Sequence, residues 1–249
     1  MAFKKGKIIM KKIRVTIWNE FKHEKNNPDV AAIYPKGIHG CIGDFLSECD
    51  DVEVRLACLD DPDHGIPNEV LDNTDVLIWW GHCYHDAVSD ERVEYVRQRV
   101  YDGMGFIACH SAHHSKPFKR IVGTTGNLSW GDEFHEILWN LKPSHPIAAG
   151  IPDKFELESE ELYAEPFYIP NPDDLIFGAW YTSGHIFRAG ATFTRGLGKI
   201  FYFQPGHETC RSFYDKNVQR VLKNAVHWCA PNEVGYEFSN DCPYIKPIV

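Results

Sequence analysis

Histidine is the residue type whose placement in this chain most suggests chemistry. The 249-residue sequence holds 13 histidines. Many fall in four short polar segments: Asn19-Glu20 with His23-Glu24, Gly81-His82-Cys83-Tyr84-His85, His110-Ser111-Ala112-His113-His114, and Pro205-Gly206-His207-Glu208. Imidazole titrates near neutrality and binds transition metals, so such segments suit proton transfer or metal-assisted chemistry. In that reading His110 or His207 shuttles protons and Glu20 is a candidate base, which makes these three candidate catalytic residues. Trp18, Asn19, His23, Glu24, His82, Ser111 and Glu208 are the candidate substrate-binding residues. A divalent cation, zinc being the first choice, would polarise a carbonyl if two or three of His82, His110, His207 and a carboxylate held it. The histidines form no local ligand motif such as HExxH, so the metal and its ligands stay open.

Each of these residues also has an ordinary structural reading. A lone histidine after a strand is commonly a hydrogen-bond partner. His113 and His114 suit the outer face of a helix, and His135, His145 and His185 carry little weight singly. Trp18, Trp79 and Trp80 suit a core or a pocket wall, although an indole face also stacks on sugar rings.

Ala108-Cys109-His110-Ser111-Ala112 has small residues on both sides of a strand-to-helix turn, as a strained nucleophile elbow requires. The exposed central residue would be His110, with Cys109 turned toward the core. A thiolate nucleophile is then missing from the position where a cysteine hydrolase or glutamine amidotransferase needs it.

The elements that position these groups follow from periodicity. Ile13–Trp18 and Val52–Ala57 read as strands, and Val76–Trp80 reads as a strand buried on both faces. Gly105–Ala108 is the fourth strand. Helical spacing of apolar residues appears after Gly37 through Leu46, and again after Ser89 up to the stop at Gly103. Pro67 opens a short helix through Leu71, and Asn19–Tyr34, which contains Pro28, reads as a long loop. Alternating strands and helices imply a parallel sheet with right-handed crossovers. The second half is less regular. Phe155–Tyr163, Leu175–Tyr181, Ile186–Thr194 and Lys199–Phe203 are strand candidates, some of them antiparallel, and Asp215–Trp228 is a closing helix ended by Pro231. Ligands in open α/β sheets bind beyond the carboxyl ends of the strands, so the four polar segments should meet at one edge.

Composition narrows the partners. The chain is 43% hydrophobic and 24% charged, enough for a packed core. A formal net charge of −9 argues against a nucleic-acid groove and against anionic membranes, leaving a small neutral or polar molecule open. No apolar run reaches the roughly 20 residues of a membrane span, and Ile8-Ile9-Met10 is too short for a signal peptide. None of the eight cysteines forms a CxxC pair, which fits reduced thiols and a cytoplasmic location. The expected organisation is a basic tail over residues 1–12, one domain over 13–231 and a tail over 232–249. Homo-oligomerisation is left open.

Four segments in order carry a resemblance. Phe106-Ile107-Ala108-Cys109-His110-Ser111-Ala112 resembles FVG-x-HSA, and Ser144-His145-Pro146-Ile147 resembles an S-H-P-I turn. Glu160-Glu161-Leu162-Tyr163 resembles D-E-L-Y. Gly196-Leu197-Gly198-Lys199-Ile200-Phe201-Tyr202 with Gly206-His207 resembles a G-x-G-R-V-F-Y…G-H ending. Together they are similar to ThuA-like proteins of trehalose utilisation, within the class I glutamine amidotransferase-like superfamily. That resemblance implies a flavodoxin-like, mostly parallel α/β sheet with helices on both faces and the elbow at its switch point. It also implies a role in trehalose or disaccharide utilisation, through isomerisation, elimination or hydrolysis of a sugar or keto-sugar. His110, Glu161 and His207 carry over as pocket residues, and Glu161 thereby joins Glu20 as candidate base and is the fourth candidate catalytic residue. The alternative is a non-catalytic sugar-binding or regulatory module.

Overall fold

The computed structural model describes residues 12–231. Apart from Lys12, the expected tails 1–12 and 232–249 lie outside the described residues. Four short strands, β1 (Ile13–Asn19), β2 (Val52–Cys58), β3 (Val76–Trp80) and β4 (Gly105–Cys109), alternate with helices. Then come β5 (Ser129–Asn140), β6 (Lys154–Ala164), β7 (Asp174–Tyr181), β8 (Ile186–Arg195) and β9 (Gly198–Phe203). They form a nine-stranded sheet in the order β2-β1-β3-β4-β9-β8-β7-β5-β6.

The first five strands in that order pair in parallel, and every pair from β9 to β6 is antiparallel. The fold is α/β, as expected, but the sheet is mixed and not mostly parallel. The reason is chain length. Tight connections from Tyr181 to Ile186 and from Arg195 to Gly198 leave no room for a crossover helix, so β7, β8 and β9 must turn back on one another. The parallel half has the flavodoxin-like order, with β9 as its fifth strand.

The helices are α1 (His23–Asn26), α2 (Pro28–Ile33), α3 (Gly37–Leu46), α4 (Asn68–Asp72), α5 (Asp90–Tyr101), α6 (Lys116–Val122) and α7 (Lys216–Cys229). The order reverses at β1, so right-handed crossovers send α3 and α5 to opposite faces. α3 packs on β1 and β2 and touches α7, while α5 packs with α4 and α6. β3 and β4 are buried along their whole length, and the rings of Trp18 and Trp79 stack at 3.8 Å in the core.

The segment expected as a loop, Asn19–Tyr34, contains α1 and α2 instead. Asn27 Oδ1 accepts from the Asp29 amide at 2.9 Å and Pro28 occupies the first turn, so local capping prevails over polar composition. α6 and β5 also fall outside the sequence reading. No helix among the described residues is long and apolar enough to cross a membrane, and none of the described cysteines is in a disulfide.

Candidate functional site

The residue at the end of β4 sets the site. His110 has φ of 53°, a left-handed conformation that a non-glycine residue adopts at a cost of about 1–3 kcal/mol. The turn aims its imidazole across the carboxyl end of the sheet. Nδ1 donates to the Gln204 carbonyl at 2.9 Å, just past β9, and Nε2 lies 2.9 Å from Glu161 Oε2 and 3.2 Å from the Tyr163 hydroxyl. Cys109 is fully buried, and burial pushes its thiol up to about 12. The turn therefore aims the imidazole at Glu161 and Tyr163 and the thiol into the core, but His110 is itself fully buried and not exposed as expected, because those side chains cover it.

Glu161 and Tyr163 belong to β6, the last strand of the sheet. They reach His110 because the antiparallel half curls back. β5 carries register shifts at Gly131/Glu133 and Phe134/Glu136, and such bulges bend and twist a strand. β6 then lies beside the segment after β9: Gln204 Nε2 donates to the Glu161 carbonyl at 3.1 Å, and Glu160 accepts from the Gly206 and His207 amides at 2.8 and 3.0 Å.

Two buried carboxylates hold the turns that carry the other histidines. Glu20, at the end of β1, accepts from the amides of His82, Cys83 and Tyr84 at 2.8, 3.1 and 3.1 Å. Glu160 does the same for residues 206–207 and also accepts from the Ser212 hydroxyl. Burial pushes the Glu160 carboxyl up. Burial acts the same way on Glu20, but the His23 contact and the three amides hold it below the usual range.

His82, His110 and His207 thus gather from the ends of β3, β4 and β9. Their ring centroids are 5.2 Å (82 to 207), 5.3 Å (110 to 207) and 6.1 Å (82 to 110) apart. Glu208 Oε1 lies 2.9 Å from His82 Nδ1 and 3.2 Å from His23 Nδ1. Burial alone would raise Glu208, but the His82 hydrogen bond and the nearby imidazoles bring it to about 2. Burial would likewise raise Glu161, yet His110, His207 and His82 hold it down. His110 shifts the opposite way: burial would lower it, and Glu161 raises it. Burial and the neighbouring His110 lower His207 to about 4.

These groups front a cavity of about 810 Å³ whose wall includes His82, Ser111, Glu161 and His207. Of the sequence-predicted site residues, His110 is fully buried behind the wall residues Glu161 and Tyr163, while Glu208, His23 and Glu20 stand behind His82. Ser111 donates to the Gly81 carbonyl at 2.9 Å. Trp18, Asn19 and Glu24 are not on the wall. The Trp18 indole is stacked in the core and donates to the His64 carbonyl at 2.8 Å. Asn19 donates to Glu24 at 2.7 Å, and Glu24 accepts from the Ile38 amide at 2.8 Å, so this pair fastens the start of α3. The outer-helix reading of His113 is also corrected: it is buried and donates from Nδ1 to the Gly126 carbonyl at 2.6 Å.

Sequence reasoning missed several wall residues: Trp130 and Glu133 from β5, Tyr163 from β6, and Thr209. The apolar residues Phe134, Ile137, Leu138 and Trp139, followed by Pro143, were the available signal for β5. A second cavity, lined by Trp139, Leu141, Trp180 and Ile186, is almost wholly apolar and lies away from the histidines.

Comparison with known proteins agrees with this architecture. A family model described as trehalose utilisation, ThuA, matches residues 14–229. A ThuA-like protein from Parabacteroides merdae superposes with a TM-score of 0.68 at 17% identity, over 88% of this chain and 90% of that one. A Salmonella typhimurium protein described as cytoplasmic gives 0.53 at 11% identity, over 88% and 99%. A glutamine amidotransferase from Thermotoga maritima gives 0.56 at 10% identity, over 88% and 99%. At such identities these structures share the fold. No curated protein matches the chain.

Proposed function

From the premise that this chain belongs to the ThuA family of trehalose utilisation, we propose that it is an enzyme acting on a disaccharide or keto-sugar in the histidine-lined cavity. His110, His207 and Glu161 form the reactive centre, where a sugar carbonyl is polarised and a proton on the adjacent carbon or hydroxyl is moved, in isomerisation, elimination or hydrolysis. The observation that carries this reading is the convergence of β3, β4, β6 and β9 on one polar cavity, where the wall carboxylate Glu161 lies 2.9 Å from the buried His110 imidazole. Tyr163, Ser111 and Trp130 supply hydroxyls and an aromatic face suited to a sugar. Glu20 acts as a positioning residue, since backbone amides occupy its carboxylate. A cytoplasmic setting and a small-molecule partner complete the reading.

The test is incubation of purified protein with trehalose and its keto derivative, with products followed by NMR and binding by calorimetry. Turnover is expected for at least one of the two sugars. His110→Ala and Glu161→Gln should each lower kcat/KM by at least about 100-fold, the usual contribution of a positioned acid–base group. Tight binding without any product would favour the alternative, a non-catalytic sugar-binding or regulatory module.

A further inference from the structure

We propose that His82, His110, His207 and Glu161 form a binding site for one divalent transition-metal ion of the zinc class. The inference concerns the same cavity as the sugar reading and depends on it only for what the ion would act upon.

The ligand atoms fall in two overlapping groups of three. One ligating atom each from His110, Glu161 and His207 lies within 4.8 Å of the others, and His82, His207 and Glu208 form a second such group sharing His207. Imidazoles bound at about 2.0–2.1 Å to one tetrahedral ion have ring centres roughly 5 Å apart. The three rings here stand 5.2, 5.3 and 6.1 Å apart.

The outer contacts are those of metal-ligating histidines, whose second nitrogen donates to a carbonyl, carboxylate or hydroxyl. His110 Nδ1 donates to the Gln204 carbonyl at 2.9 Å and His82 Nδ1 to Glu208 at 2.9 Å. His207 Nδ1 lies 2.7 Å from Thr209 Oγ1 and 3.4 Å from the Thr209 amide, so it too has an outer partner. In all three rings Nδ1 is engaged by an outer partner, and His110 Nε2 faces Glu161 at 2.9 Å and the Tyr163 hydroxyl at 3.2 Å, contacts that a bound ion would replace.

Two carboxylate oxygens want a cation. Glu161 Oε2 and Glu208 Oε2 are buried and form no hydrogen bond of ordinary geometry, although they lie 2.9 and 3.5 Å from the Nε2 atoms of His110 and His207. An unpaired buried carboxylate oxygen is costly, and an ion among these atoms would remove that cost. Three nitrogens and one carboxylate oxygen, with no thiolate, suit zinc and its first-row neighbours over calcium or magnesium. Open space on the cavity side leaves a position for a sugar oxygen.

The experiment measures binding, independent of turnover. The chain, stripped with a chelator and dialysed, is titrated with Zn²⁺ and with Co²⁺. Elemental analysis is expected to give one equivalent per chain, and Co²⁺ to give visible absorption bands of a four- or five-coordinate site. His110→Ala, His207→Ala and Glu161→Gln should weaken metal binding at least tenfold. Glu208→Gln, which touches His82 from behind, should weaken it about 10–100-fold. His114→Gln, on the cavity wall outside the cluster, should retain it. Circular dichroism confirms that each variant is folded. Sub-stoichiometric metal in the folded wild type, without cobalt bands, would overturn the site, as would equal affinity in all the variants. Sugar turnover by fully metal-free protein would leave the functional reading standing and remove the ion from it.

Discussion

At the scale of single residues, the site depends on buried acids that touch no substrate. Glu20 and Glu160 each bind the amides of a turn, and those turns carry His82 and His207. A carboxylate accepting several amides is both rigid and hard to replace, because its loss leaves buried donors unpaired. Glu20→Ala is expected to lower unfolding free energy by about 3 kcal/mol in urea denaturation, and Glu20→Gln, which keeps one acceptor oxygen, by less. An alanine variant within about 0.5 kcal/mol of wild type would show that the 82–84 turn holds itself. Sequence reading picked out Glu20 and put it among the catalytic residues. Residue type alone does not tell a carboxylate facing a substrate from one saturated by backbone.

At the scale of elements, β4 meets the end of α7 at Gly105. A Cβ there would stand 2.5 Å from the Cys229 carbonyl oxygen, a backbone atom that cannot swing aside. Gly105→Ala should therefore cost about 1–3 kcal/mol, read as a lower Tm, by forcing α7 off the sheet. An unchanged Tm would mean that the helix end shifts freely. α7 itself was legible from its apolar stripe Val218, Val221, Leu222, Ala225 and Val226, all buried, and from its Asp215 cap. β3 and β4 were legible as short apolar runs. β5 was not, because its bulges break the alternation by which a strand is recognised. α1 and α2, at four and six residues, are too short for an apolar period to appear.

At the scale of the whole molecule, the antiparallel half carries an electrostatic burden unrelated to the cavity. Glu136 on β5 is fully buried, and neither carboxyl oxygen makes a hydrogen bond of ordinary geometry. Burial, reinforced by Glu160, raises its carboxyl well above the usual range, with the Tyr181 phenol acting weakly the other way. The folded chain then keeps this proton after the unfolded chain has lost it. The resulting stability is full below the ordinary carboxyl range and is lost as pH rises toward the raised value. Glu136→Gln removes that loss. Its unfolding free energy relative to wild type should improve by about 1 kcal/mol or more between pH 5 and pH 7.5, within the limit of about 1.4 kcal/mol per pH unit for one group. Parallel pH profiles for the two proteins would show Glu136 ionising as an ordinary surface acid does.

The sequence by itself determined the parallel half of the sheet, the turn that sends Cys109 into the core, and the placing of His82, His110 and His207 beyond strand ends, but not that His110 is itself fully buried. Those features depend on local rules: apolar runs, small residues flanking a tight turn, and strand direction. Only the tertiary structure decided that Glu161 faces His110 across 51 positions of sequence, that Trp130 joins the wall, and that Trp18 and Asn19 turn away into the core and toward α3. Successive side chains on a strand point to opposite faces, so register and bulge position choose which ones meet the cavity. In β5 and β6 that choice is made by pairing between distant segments, which no single stretch of sequence records.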